Sequence, residues 1–241
     1  IIMYYGYGYG TGETLLYAVL LITIVFSMWA SWSVKHTYEK YGKKRNARNI
    51  SGADAARRVL NSKGMYNVGI QVVSGTLTDY YDPKANAIYL SDDVYSGTSA
   101  VAVGVACHEA GHAMQYADGY LPGKIRSAVI PATNLGSKMA FPLILAGIIL
   151  NGSIPVLYNL VYLGIACFGL SAVFQLVTLP TEFNASRRAV HVIEQCGILT
   201  DEELVDAEKV LRAAAMTYVA ALAVALIQLL RMIAIYGKRR R

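Results

Sequence analysis

Long apolar runs divide the chain. Thr14 to Trp32 is the first; Leu135 to Leu150 and Pro155 to Leu179 follow, with only Asn151-Gly152-Ser153 between them; Ala213 to Ile235 is the last, interrupted by Gln228 and Arg231. Each approaches the ~20 residues a helix needs to cross the hydrocarbon core. The pattern changes between the first two runs. Apolar positions recur at helical spacing from Ser51, a capping residue, to a stop at Gly64. Val68 to Val73 reads as a strand, and Asp79 to Tyr81 and Ala87 to Leu90 as short strands around the turn sequence Asp82-Pro83-Lys84-Ala85-Asn86. Ser91-Asp92-Asp93 offers an N-cap, and Ser99 to Ala117 is a helix with Gly119 near its end. Thr200 with Glu203 three residues on makes a capping box. No Pro or Gly interrupts the chain from Leu204 to Tyr236, so Leu204 to Ile235 is expected to form one helix that begins in water and enters the bilayer. Tyr4 to Gly10 alternates Tyr and Gly, has little to bury, and reads as a flexible or interfacial tail.

Composition agrees with a membrane setting. The 241 residues are 55% hydrophobic and 16% charged, too apolar for an ordinary soluble domain of this length. The first run lacks a positive n-region and an A-x-A cleavage site, which favours a retained anchor over a signal peptide. Lys35, Lys40, Lys43, Lys44, Arg45, Arg48, Arg57 and Arg58 follow that run, whereas Glu13 is the charge before it. The positive-inside rule places the segment after the anchor in the cytoplasm. Asn151 to Ser153 carries no charge, which suits the opposite side, and Arg187, Arg188, Lys209 and Arg212 return to the cytoplasmic side. Lys238 to Arg241 would then lie outside after four full crossings, unless the last helix does not cross fully or the tail snorkels. The net charge of +6 calls for no nucleic acid partner, because the cations flank apolar spans where anionic lipid accounts for them. Cys107, Cys167 and Cys196 form no C-x-x-C pair, and no disulfide framework is expected. Cys107 reads as a small packing residue.

The candidate chemistry lies in Cys107-His108-Glu109-Ala110-Gly111-His112, an H-E-x-x-H sequence. Positions four apart stack on one helix face, so His108 and His112 can present two imidazoles to one metal ion. Glu109 is turned ~100° away, beside the metal and free to take a proton from water as the catalytic base. Two nitrogens need a third ligand. His36 follows the anchor and reads as interfacial. Glu182, in Leu179-Pro180-Thr181-Glu182-Phe183, re-emerges after the third run on the same side as the histidines and is the third-ligand candidate. Pro180 and Thr181 suit a new helix start or a kink. The alternative for Glu182 is an acid favoured at a helix N-terminus by the dipole. His191, about 180° round from Glu182, reads as structural. Asp118-Gly119 is a helix-ending turn, or a second metal carboxylate if the enzyme works inside the membrane. Ile88-Tyr89-Leu90 is the candidate sheet edge for an extended peptide, or an ordinary half-buried strand.

Together, His108-Glu109-Ala110-Gly111-His112 and Leu179-Pro180-Thr181-Glu182-Phe183-Asn184-Ala185-Ser186-Arg187-Arg188-Ala189 resemble the bacterial membrane-bound neutral zinc metallopeptidases of the YugP type. Thr78-Asp79-Tyr80-Tyr81-Asp82-Pro83 and Ile88-Tyr89-Leu90-Ser91 are also similar to that family. More distantly the chain is similar to the HtpX and CAAX prenyl membrane proteases, in which an Asp lies four residues after the Glu; here Ser186 stands at that position, and Ser186 or Asn184 is left to orient a histidine. The resemblance implies an integral protein of the bacterial cell membrane that hydrolyses protein or peptide substrates with Zn²⁺ on His108, His112 and Glu182 and with Glu109 as base. The expected fold is a mainly α membrane protein, about four hydrophobic helices with a small α+β zincin-like insertion. Its segments are a tail and anchor (1–34), the zincin-like segment (35–130), a transmembrane helix pair (131–179), a third-ligand helix (180–199) and a long C-terminal helix entering the membrane (200–241). Two rival readings are an intramembrane-cleaving metalloprotease of the site-2 type and a non-catalytic zinc-stabilised membrane scaffold.

The orientation is testable. A cysteine introduced near Lys44 is expected to resist an impermeant thiol reagent in intact cells, and one at Ser153 to be labelled. The reverse pattern would move the site to the extracytoplasmic side.

Overall fold

The computed structural model describes residues 11–150 and 154–236. The Tyr4 to Gly10 tail, the Asn151 to Ser153 turn and the cationic Lys238 to Arg241 end lie outside the described residues. The chain folds as α1 (Thr11–Tyr41), α2 (Gly52–Ser62), β1 (Gly69–Val73), β2 (Tyr80–Asp82), β3 (Ala87–Ser91), α3 (Asp92–Tyr95), α4 (Ala100–Ala117), α5 (Leu121–Leu150), a 3-10 turn (Pro155–Tyr158), α6 (Asn159–Gln195) and α7 (Asp201–Tyr236). α1, α5, α6 and α7 are each long and apolar enough to cross a membrane. The protein is thus a mainly α membrane protein with a small α+β insertion.

Two compact units share these elements. One comprises Ile1–Met28, Ala128–Leu176 and Val219–Arg241. It has a small core of Ile144, Val161 and Ile165, against which Leu229 and Met232 pack. Its outward residues are apolar, among them Leu21, Ile22, Phe141, Ile149, Val156 and Leu163. Such a surface needs lipid rather than water around it. Arg231 does not face lipid with its charge bare, because its guanidinium lies 5.3 Å from the centre of the Tyr17 ring.

The second unit comprises Trp29–Ser127 and Val177–Tyr218. α4 lies at its centre, buried on almost every side, as expected of a helix that is apolar all round. Val59 and Leu60 from α2, Ile88 and Leu90 from β3, Val192 and Ile193 from α6, and Ile198 and Leu199 pack in the same core. The capping signals at Ser51 and at Thr200 with Glu203 are in place, whereas Ser91 stands at the N-cap of α3 without a side-chain cap hydrogen bond. The Ser51 side chain accepts from the Asp54 N–H, and Ser99 caps α4 through the Ala102 N–H. The Thr200 N–H donates to Glu203 while the Glu203 N–H donates to the Thr200 hydroxyl. The other Glu203 oxygen accepts from the Ala47 N–H at 2.7 Å, which ties the segment after α1 to the start of α7.

Two expectations are corrected. The sheet order is β1-β3-β2. β3 pairs in parallel with β1, Ile88 opposite Ile70, and antiparallel with β2, Tyr89 opposite Tyr80. Ile88-Tyr89-Leu90 is therefore the central strand and cannot take an added one; its apolar residues are buried on both faces, as in any interior strand. The second correction concerns Pro180. Of its two readings, helix start and kink, the first falls, because α6 runs unbroken from Asn159 to Gln195. A proline inside a helix forfeits one backbone hydrogen bond. Here the carbonyl left without its partner is that of Leu176, and the Thr181 hydroxyl donates to the next carbonyl, Val177, at 3.0 Å.

α4 and α6 meet backbone to backbone. A Cβ on Gly111 would lie 2.5 Å from the Ala185 carbonyl oxygen, closer than real Cβ atoms come. Only glycine allows this approach. Gly111→Val is expected to force the helices apart, lowering the melting temperature in detergent and, by carrying Glu182 away from the histidines, the bound zinc measured by elemental analysis. A variant with wild-type zinc and stability would show that the helices have room to spare.

Candidate metal centre

The α4–α6 approach sets the site. His108 and His112 project from consecutive turns of α4, with ring centroids 4.7 Å apart. Glu182 projects from α6 between them. Its Oε2 lies 3.2 Å from His108 Nε2 and 3.4 Å from His112 Nε2. Among the described residues these three form a group whose ligand atoms all fall within 4.8 Å of one another, and which could hold a metal ion. Glu182 lies in the interior of a 37-residue helix, so the helix-terminus explanation for an acid at this position does not apply.

The donor set fits zinc. Bonds of ~2.0–2.1 Å meeting near the tetrahedral angle put ligand atoms about 3.3 Å apart, and the two nitrogen–oxygen separations bracket that value. The hydrogen bonds behind the imidazoles also fit. His108 Nδ1 lies 3.0 Å from the Ser186 hydroxyl and His112 Nδ1 lies 3.0 Å from Gln115 Oε1. The Gln115 amide has a fixed orientation, because its Nε2 donates to the Thr181 carbonyl at 2.7 Å and to Asn184 Oδ1 at 3.0 Å. Its Oε1 must therefore accept, so His112 carries a proton on Nδ1 and directs Nε2 toward Glu182. Asn184 is held in turn by the Arg188 Nε–H at 2.8 Å, and Arg188 pairs with Asp118. This chain answers the question of which residue orients a histidine. Ser186 contacts His108 directly, while Asn184 acts on His112 only through Gln115.

Electrostatics favour a cation. Burial works against a charged imidazole at His112, yet the Glu182 and Glu109 carboxylates outweigh it and raise its pKa. Glu109 is buried beside the histidines, and burial pushes its carboxyl above the ordinary glutamate value, against the pull of the two imidazoles. A raised pKa makes a carboxylate a stronger base. The second oxygen of Glu182 is held by Arg126 Nη1 at 3.1 Å. A cavity of about 340 Å³ opens beside His108, Glu109 and Glu182, with Asp79, Ser186 and Tyr218 also on its wall. Asp79 accepts from the Ser91 N–H at 2.8 Å and from its hydroxyl at 3.1 Å, which holds the loop before β2 against β3.

Other sequence candidates fall elsewhere. His36 stacks on Trp32, and His191 lies on an exposed face of α6. Asp118 caps α4 and pairs with Arg188 rather than joining the histidines. Cys107 is fully buried, and burial pushes its thiol far up, consistent with a packing role. Gln115, Arg126 and Tyr218 were not singled out from sequence. Gln115 carried a signal, since it stands three residues after His112 on the same helix face.

Known proteins place the chain. It is 44% identical over 210 residues to "Putative membrane protease YugP" of Bacillus subtilis (strain 168), a match that covers 87% of this chain and 91% of that protein. No solved structure matches. The family model described as "Putative neutral zinc metallopeptidase" matches residues 16–237, nearly the whole chain. The chain belongs to this family of neutral zinc metallopeptidases.

Proposed function

We propose that the protein is a membrane-bound zinc endopeptidase whose metal is held by His108, His112 and Glu182, with Glu109 as general base and the catalytic side in the cytoplasm. The observation that carries this reading is the convergence of two imidazole nitrogens and a carboxylate oxygen within 4.8 Å, beside a second buried acid, Glu109, and an open cavity. When bound, zinc supplies a Lewis acid and lowers the pKa of water toward ~7. The residues do the rest. Ser186 and Gln115 fix the two rings, so that each presents Nε2 to the site. Arg126 steadies Glu182 through its Oε1. The Glu109 carboxylate takes a proton from the attacking water and delivers it to the leaving amine nitrogen. Tyr218, which lines the cavity, donates a hydrogen bond from its hydroxyl to the oxygen that gains charge as the carbonyl is attacked. The extended substrate lies along the outer edge of β2, which has no strand partner among the described residues. Leu77 and Asp79, just ahead of β2, line the cavity and bring that edge to the site.

The purified protein is expected to carry about one zinc per chain, as a single three-ligand site requires, and Glu182→Ala to lose most of it. Unchanged zinc in that variant, by elemental analysis, would refute Glu182 as a ligand. Glu109→Gln should keep zinc and fold but lose at least about 10²-fold in peptide turnover, because an amide cannot accept the proton. Near wild-type turnover would remove Glu109 from the mechanism.

A further inference from the structure

The cavity beside the metal centre has a second character. Besides His108, Glu109 and Glu182 its wall is largely apolar, with Val34 of α1, Leu77, Val105 of α4, and Val210, Ala214 and Ala215 of α7. The small side chains of α7 leave the room, and Ala214 is only half-buried. Leu77 is the loop's part of this wall. It is held at φ 56°, a left-handed conformation that a bulky branched residue rarely adopts. Strain of this kind gathers at ligand-contacting positions.

The level of the cavity relative to the bilayer can be read from α1. Trp29 and Trp32 are 51% and 60% exposed, and the exposed Lys35 follows them. Exposed tryptophans succeeded by lysine mark the boundary between hydrocarbon and water. Ser31 and Val34, in the same turns of the same helix, line the cavity. The cavity therefore stands at the membrane surface.

We infer that this cavity is a subsite for an apolar side chain next to the scissile bond of a polypeptide segment lying at the membrane surface, with Leu77 and Ala214 setting its selectivity. This rests on the peptidase reading above. A volume of about 340 Å³ accepts a large aliphatic or aromatic side chain beside the groups that act on the peptide bond. A segment close to a membrane anchor reaches such a site without leaving the interface.

Binding can be separated from turnover. Zinc-loaded Glu109→Gln protein in nanodiscs is titrated with fluorescent peptides that differ only in Gly, Ala, Leu or Phe at one position. The Leu and Phe peptides are expected to bind roughly ten-fold or more tightly than the Gly peptide, the scale expected for filling an apolar pocket. Adding Ala214→Phe should abolish that preference. Leu77→Gly should also abolish it while raising or preserving the melting temperature, since glycine relieves the strain; a purely structural Leu77 would lose stability instead. Equal binding of all four peptides, or an unchanged preference in Leu77→Gly, would overturn the subsite. The wild-type protein is then offered the Leu sequence in liposomes, either a few or about 20 residues from a transmembrane anchor. Faster cleavage of the near site is expected, and equal rates would overturn the placement at the membrane surface. If the wild type cleaves nothing while Glu109→Gln still prefers Leu over Gly, the subsite stands and the peptidase reading falls.

Discussion

The contact of Gly111 with the Ala185 carbonyl is the constraint on which the site depends. His108 stands about one turn before Gly111 and His112 directly after it, and Glu182 stands one turn before Ala185. Helix axes usually lie ~8–10 Å apart, with the spacing set by the side chains at the contact; at a glycine crossing the two helices come in to the short end of that range. At that spacing a glutamate on one helix reaches two imidazoles on the other without unwinding either. The same approach lets Ser186 touch His108, and lets Gln115 of α4 reach the Thr181 carbonyl and Asn184 of α6. One missing side chain therefore positions both the metal-facing atoms and the hydrogen bonds that orient them.

Charge explains why the site is built so tightly. Glu182 is almost wholly buried, and a buried carboxylate is costly unless paired and hydrogen-bonded. Arg126 takes one oxygen and the two imidazoles share the other. Both imidazoles turn Nε2 to that oxygen, so the three groups share one point where a cation would be held. Asp118, Arg188, Asn184 and Gln115 extend this order from the surface to His112, in a chain where each member has its partner.

Much of this was legible in the sequence because it depends on local spacing. The four-residue repeat of His108 and His112, the capping box of Thr200 and Glu203, and the run lengths of the spans are periodic features that one helix displays by itself. The place of Glu182 beside the histidines was legible for a different reason: two histidines that could hold a metal call for a third donor, and the order of the spans limits where it can return. What the sequence hid depends on tertiary pairing. Nothing local distinguishes a central strand such as Ile88-Tyr89-Leu90 from an edge strand, since both alternate and both are apolar. Pro180 reads as a boundary in any single-helix rule, and its tolerance inside α6 comes from surroundings the rule omits. Tyr218 is one of 18 tyrosines, and only its place on the cavity wall sets it apart.

The all-round burial of α4 has a consequence for the protein's life in the cell. The helix that carries both histidines is also the centre of the core shared by α2, the sheet and α6. A metal held there binds the folded chain and not the unfolded one, so its binding energy adds to folding stability by mass action. Quality-control proteases remove chains in proportion to how often they open, and a change of ~1–2 kcal/mol alters abundance several-fold. Zinc supply would therefore set how many copies persist as well as how active each one is, and scarcity would clear the empty protein from the membrane.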